Sequence, residues 1–428
     1  MRFPAQRRPR APAVRGLWVW VALLSLVCSL LPAPGRAQQV AVPYYGPEAF
    51  VAAFSANAQA PLAQRFSSSA QALVAAIEDL CAAPVVTKAE TQASRQAEER
   101  EKELLLHAKQ AWMGAADDWE RLQAIAVGPT VERRSARSLD FRPARPALIK
   151  RAVGTHGRGK ELPDAKVLER VGAPAKGLPA IEWLLWDSNA PQTAAACRYT
   201  TGLAQEVHRE AAALAEAHTA EAARDWREEA EAAAGRAAEV VNQWLAGLEA
   251  LRWRDMGKPL AMLASKRGDA ASPQSKPDIW PRPPSSSHRQ AWQARWEALR
   301  AVAIGPAPTD GFGAQPAVAP AVVSLEALLR GRGRNPEADL WAKFVMAADQ
   351  AMQSLTGQAD VLSGTPAAVA PPSASGQESA LLPPPAVLPP THELEAAVKA
   401  LDVVKQYMHD TVAPALQVTL GFSDADGD

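Results

Sequence analysis

A chain of 428 residues, 48% hydrophobic but only 6% aromatic, is long enough for two or three domains with sizeable cores. Its 46 Lys and Arg balance 46 Asp and Glu, which excludes the strongly basic surface of a nucleic-acid binder. Much of the apolar content is alanine set among Glu, Gln, Arg and Leu, and β-branched runs of strand length are nearly absent, so the composition predicts an all-α protein.

Arg2, Arg7, Arg8, Arg10 and Arg15 precede an apolar run from Leu17 to Leu31, and Gly35-Arg36-Ala37 puts small residues at the cleavage-type positions. That order predicts a secretory signal peptide over residues 1–37, with an apolar run short for a membrane span. Val27, rather than a small residue, precedes Cys28, which argues against a lipid-anchor site. Export would remove six arginines and no acid, leaving 40 basic against 46 acidic residues and no transmembrane span in the mature chain. Of the three cysteines, Cys81 and Cys197 remain, with no histidine near either to complete a metal site. In an oxidising compartment such a pair predicts one disulfide, stabilising by roughly 4–5 kcal/mol through the long loop it closes.

Helical periodicity begins at Pro47 and runs to Ala83 through Phe50, Phe54, Leu73, Ile77 and Leu80, with Pro61 marking a new turn or kink. A second helix starts near Thr87, polar over Gln92–Glu103 and apolar over Leu104–Val127, and Gly128-Pro129 ends it. Thr130–Lys176 reads as irregular, with short helical pieces such as Arg145–Val153 and His156 in a loop. Gly177–Trp186 is a short helix, Ala194–Glu231 a long one carrying Cys197, His208 and His218, and Arg236–Leu251 another. Pro273, Pro277, Pro281, Pro283 and Pro284 among serines mark residues 266–287 as a linker or surface loop. Helices resume at Arg289–Val302, Val322–Leu329 and Pro336–Thr356; residues 364–390 are a Pro-, Ala- and Ser-rich low-complexity stretch, and a last helix covers His392–Leu416.

An internal repeat organises these elements. Trp119-Glu120-Arg121-Leu122-Gln123-Ala124-Ile125-Ala126-Val127-Gly128-Pro129 matches Trp296-Glu297-Ala298-Leu299-Arg300-Ala301-Val302-Ala303-Ile304-Gly305-Pro306. Irregular chain follows each copy, then a short helix, Ile181–Leu185 in one and Leu325–Leu329 in the other. The pattern predicts a duplicated helical bundle with two pseudo-symmetric four-helix-type halves, residues 38–233 and 234–428, the second carrying the Pro-rich loops 266–287 and 364–390.

In Gly177-Leu178-Pro179-Ala180-Ile181-Glu182-Trp183-Leu184-Leu185-Trp186, glycine and proline set the helix start. Leu178, Ile181 and Leu185 share a face, and Glu182 puts a carboxylate along that apolar stripe, where it needs a cation, a metal or a proton. Two readings stand: an ion pair with an arginine across a core, or membership of a site. Glu326 is the equivalent position of the second copy. The pair either holds each Gly-Pro loop or lines a cleft between the halves.

The exported N-terminus, the Trp-rich helix ending in Gly128-Pro129, the Gly177–Trp186 segment and the C-terminal Leu420–Asp428 resemble, in this order, the imelysin-like family of exported bacterial proteins, also catalogued as M75 peptidases. The family's signature is Gly-x-His-x-x-Glu; Gly177 and Glu182 match it, and Pro179 stands at the histidine. Histidine and glutamate three apart share a helix face and can share a metal, but proline offers no donor atom. A zinc-peptidase mechanism therefore loses its main support in this chain. The resemblance implies a two-part helical bundle, a periplasmic or cell-envelope location, and a role in uptake of iron or another metal.

The remaining constellations are weaker. His218-x-x-Glu221 and His392-x-x-Glu395 repeat the His/Glu spacing in a chain with seven histidines and many glutamates, where chance supplies such matches. Asp424, Asp426 and Asp428 lack the other ligands of a calcium loop. Trp112, Trp119, Trp292 and Trp296 fit core packing. The resulting expectation is a non-enzymatic envelope protein that binds a metal ion (iron or another divalent metal) or a metal complex through Gly177, Glu182 and Glu326, with Glu182 the metal contact and an envelope transport component as partner. The alternatives are an M75-type metal-dependent peptidase drawing a histidine from His107 or His218, and a scaffolding protein making contacts through residues 364–390.

Overall fold

The computed structural model describes residues 43–83, 92–159, 161–186, 193–266, 280–305, 322–362 and 391–421, and every regular element among them is helical. The expected signal segment 1–37, the loop 364–390, the Asp424–Asp428 tail and part of the loop 266–287 lie outside these residues. No helix among the described residues is long and apolar enough to cross a membrane.

Helix α1 (Pro47–Phe54) passes through a π-helical turn, Ser55–Gln59, into α2 (Ala60–Ala82). Pro61 explains the widened turn: it has no N–H to give, and the Ala60 N–H reaches back five residues to the Ser55 carbonyl. Helix α3 (Gln92–Gln123) has a largely solvated first half, then buries Trp112, Ala115, Trp119 and Leu122 at helical spacing. Short helices α4 (Pro129–Glu132), α5 (Ser135–Leu139), α6 (Pro146–His156) and α7 (Ala165–Glu169) lead to α8 (Gly177–Trp186) and the long α9 (Ala194–Ala222).

Helices α2, α3 and α9 enclose the first core, in which α2 runs antiparallel to α9. Gln64 Nε2, near the start of α2, donates to Thr219 Oγ1 near the end of α9, and at the opposite ends Cys81 and Cys197 form a disulfide with Cα atoms 5.5 Å apart.

The second core is built from α10 (Ala230–Glu249), α12 (His288–Ile304), α13 (Leu325–Gly331), α14 (Asn335–Leu362) and α15 (Thr391–Tyr407), the last continued by a π-helical turn, Met408–Val412, and α16 (Ala413–Leu416). It also takes Phe50, Val51 and Phe54 of α1 and the end of the first repeated helix, Ala124, Ile125 and Val127. The long helix expected through Glu231 stops at Ala222 because Trp226 turns into this second core, where it is 2% exposed. The helix expected to end at Leu251 instead continues through an eight-residue π-helical stretch, Ala250–Gly257, into α11 (Lys258–Lys266). The two repeated helices, α3 and α12, pack against each other and are tied by an ion pair from Arg121 to Glu297 at 2.9 Å.

Candidate ligand cleft between the cores

Gly177 sits at φ +71°, and a Cβ built there would lie 2.4 Å from the Leu139 carbonyl oxygen. Only glycine lets α8 start this close to the end of α5, which puts α8 beside Asp140. Leu178, Ile181 and Leu185 face the first core, and the Trp112 indole N–H donates to the Leu178 carbonyl at 2.9 Å. Trp183 and Trp186 are half-buried, with Lys150 and Lys109 over their rings.

Glu182 is 2% exposed. Its Oε1 accepts from the Ser285 backbone N–H at 3.1 Å and from Ser285 Oγ at 2.5 Å. Burial raises the carboxyl pKa, and Arg282 and the Ser285 bonds only partly oppose that. Its contact is therefore with a serine of the segment before α12, neither an arginine pair nor a ligand set.

A buried charge network stands next to it. Arg282, fully buried, donates to Asp140 Oδ1 at 2.9 Å, Asp140 Oδ2 at 3.1 Å and Glu120 Oε1 at 3.0 Å. Arg295 of α12 donates to Glu120 Oε2 at 2.6 Å, and Arg142 gives its Nη2 to both Glu120 (2.9 Å) and Asp140 (2.8 Å). Burial alone would raise the Glu120 carboxyl, but Arg142, Arg295 and Arg282 hold it well below the usual carboxylate range. Asp255, carried on the π-helical stretch, is likewise lowered against the pull of burial, by Arg254, which grips it through two hydrogen bonds, and by Arg295. The wide π-helical turn re-aims Arg254 and Asp255 toward the first half.

These groups back a cleft of about 1080 Å³. Its lining draws on α5 and the residues after it (Arg137, Asp140, Phe141, Arg142, Pro143), on α8 (Pro179, Glu182, Trp183, Trp186), on Arg254, Asp255 and Lys258, and on Trp280, Pro281, Pro283 and Pro284. Among the described residues the Arg137 side chain has no protein partner, and Arg142 makes its bonds through Nη2 alone, leaving Nε and Nη1 unengaged. Four cationic side chains (Arg137, Arg142, Arg254 and Lys258) line the cleft against three carboxyl groups (Asp140, Glu182 and Asp255).

Of the residues expected at a site, Glu182 lines the cleft and Gly177 does not; Gly177 shapes the turn that carries Pro179 and Glu182 there. Glu326 lies elsewhere: it pairs at 2.7 Å with Arg330, four residues on, which also holds Asp339. The structure does not bring Glu182 and Glu326 together. His218 is 2% exposed and hydrogen-bonded to Thr130 Oγ1 at 2.9 Å, while Glu221 pairs with Arg236. Residues 280–287, expected as linker or surface loop, carry Arg282 into the centre of the molecule and Ser285 onto Glu182. Arg282, Arg142 and the Arg254-Asp255 pair went unanticipated. The available signal was one arginine and one tryptophan, Trp280-Pro281-Arg282-Pro283-Pro284, in residues 280–287, which carry no other charge.

A resident metal does not fit these residues. Pro179 has no donor, Glu120, Asp140 and Asp255 are engaged by guanidinium groups, and no three His, Cys, Asp or Glu side chains among the described residues come together as a ligand set.

What fold and cleft define is a class: a helical protein with two cores and a charged cleft where they meet. The chain belongs to the Peptidase M75 (Imelysin) family, whose model matches residues 59–375. An imelysin-like protein from Psychrobacter arcticum 273-4 has a similar structure, with TM-score 0.58 and 13% identity over 88% of this chain and 97% of that one. A protein named an iron-regulated protein A precursor, from Parabacteroides distasonis ATCC 8503, is similar with TM-score 0.53 and 15% identity, over 85% of this chain and 95% of that one. At such identities these likenesses establish the shared fold. No curated protein sequence matches the chain.

Proposed function

We propose that this chain is a non-catalytic binding protein of the cell envelope, and that it takes a metal in complexed, anionic form into the cleft between its cores. The observation that carries the reading is the division of charge: the buried carboxylates at the cleft are engaged by arginines or Ser285, while Arg137 and part of Arg142 stay unengaged toward it. Such a site favours an anion over a bare cation. The name of the Parabacteroides protein ties a member of this fold to iron regulation, and the N-terminal pattern of residues 1–37 supports export. A duplicated bundle is the reading of the two cores, supported by Trp119 and Trp296, which are both buried and donate to Asp140 and Asp349, and by Gly128 and Gly305, which both adopt positive φ.

Isothermal titration of the exported chain with ferrous and zinc ions, and with ferric citrate and ferric nitrilotriacetate, tests the proposal. Binding of the complexes with no saturable uptake of the bare ions is expected. Tight binding of bare zinc, lost in Glu182→Ala, or chelator-sensitive hydrolysis of an unfolded polypeptide would overturn it.

A further inference from the structure

Resting on that reading, we propose that the cleft selects an aromatic carboxylate, its ring against Phe141, Trp183 and Trp280 and its carboxylate toward Arg137 and Arg142. Three observations lead there. The walls carry prolines at positions 143, 179, 281, 283 and 284. Proline has no N–H, so these wall positions offer no backbone donors and favour the apolar part of a ligand, while the rings of Phe141, Trp183 and Trp280 offer faces to stack on. The aromatic groups are fixed from behind: His288 stacks on Trp280 at 5.5 Å and 21°, Trp292 meets the same indole edge-on at 5.5 Å, and Lys150 lies over Trp183. Phe141 is 37% exposed, a large ring presented in the lining of the cleft.

Two of the cationic donors in the lining come from one stretch of chain. Arg137 and Arg142 follow one another around the end of α5, flanking Phe141, with Asp140 locking Arg142 through Nη2. A guanidinium pinned at one nitrogen and open at the others suits an oxyanion, and its planar fork favours a carboxylate. Ring and anion sites lie beside each other, so a molecule that joins a ring directly to a carboxylate meets both. The same acid reaches the cleft either free or as the ligand shell of a metal complex, and the chemistry recognised is shared.

Titration of the exported chain, followed by tryptophan fluorescence and calorimetry, decides the matter with four probes: salicylate, its ferric complex, cyclohexanecarboxylate (charge without an aromatic ring) and benzamide (ring without charge). Salicylate, free or ferric, should bind about tenfold tighter than either control, and the better of its two forms identifies the source. Arg137→Gln and Phe141→Ala, both at exposed positions, should each weaken salicylate about fivefold with unchanged melting. Equal affinity for cyclohexanecarboxylate or benzamide, or variants that bind salicylate as the parent does, would overturn the proposal. Binding of ferric citrate with no response to salicylate would overturn it while the proposed function stood; silence toward every probe and complex would remove both.

Discussion

Arg282 is a fully buried cation of the charge network behind the cleft, and replacing it with methionine removes the charge while keeping most of the volume. The side chain makes three charge-assisted hydrogen bonds of 2.9–3.1 Å to Asp140 and Glu120, with its guanidinium 5.5 Å from the Trp112 ring. Hydrogen bonds to charged groups contribute about 1.5–3 kcal/mol each. The carboxylates are not abandoned, however, since Arg142 still reaches both and Arg295 still holds Glu120. The loss should fall in the range for breaking a buried pair, about 3–5 kcal/mol. Urea denaturation at pH 7 measures it directly. Glu120 is held below its ordinary value of 4.5, so the stability it contributes is present above that pH and is lost as the pH falls through its folded value. The deficit of Arg282→Met should therefore narrow in acid. A double-mutant cycle with Asp140→Asn should show coupling of at least about 1 kcal/mol, as directly bonded groups do. A loss below about 1 kcal/mol at neutral pH, or strict additivity with Asp140→Asn, would refute the reasoning.

Gly177→Ala should destabilise by about 3 kcal/mol or more, from the positive φ and the 2.4 Å approach to Leu139, whereas Gly305→Ala, at φ +93° with no atom of the described residues within 4 Å of an added Cβ, should lose only about 1–2 kcal/mol in the same denaturation assay. Asp117 has its carboxyl raised to about 7 by burial, with Arg121 opposing. Between its unfolded value of 3.8 and pH 7 the folded state binds the extra proton, so stability from this group grows on acidification and is lost above pH 7. Asp117→Asn should therefore raise the melting temperature most at pH 8, less at pH 5, and leave it nearly unchanged below the unfolded value of 3.8; an equal effect at every pH would contradict this.

Helix α8 was legible to the residue because its signals are local: a glycine, a proline and an apolar spacing of three and four. Glu182 was legible as a buried carboxylate, but its partner was not, since Ser285 lies 103 residues away in a stretch whose composition reads as linker. The described prolines there sit in bends and turns, as their composition suggests, but the segment runs inward, because Arg282 meets two carboxylates able to compensate its burial. Glu326 shows the limit of arguing from a repeat. The second copy has Arg330 where the first has Trp186, and an i,i+4 cation holds the glutamate on its own helix. Positions matched by the sequence repeat thus have different surroundings, and the difference was readable at that one residue. The disulfide between Cys81 and Cys197 required only the inventory of thiols, whereas the π-helical carriage of Arg254 and Asp255 has no simple sequence mark.

Phe50, Val51 and Phe54 belong to the second core although the whole first core follows them in the chain. The earliest helix described is consequently one of the last to find shelter during synthesis. Helix α1 packs against Ala230–Glu249, so its apolar face waits in solvent until the first bundle and that helix have been made. Contacts of such long sequence separation slow folding and leave a sticky segment open to wrong partners. It also means that no single cut near the middle of the chain leaves both cores intact: the C-terminal piece would lack Phe50, Val51, Phe54, Ala124, Ile125 and Val127, and the N-terminal piece would carry them with nothing to cover them.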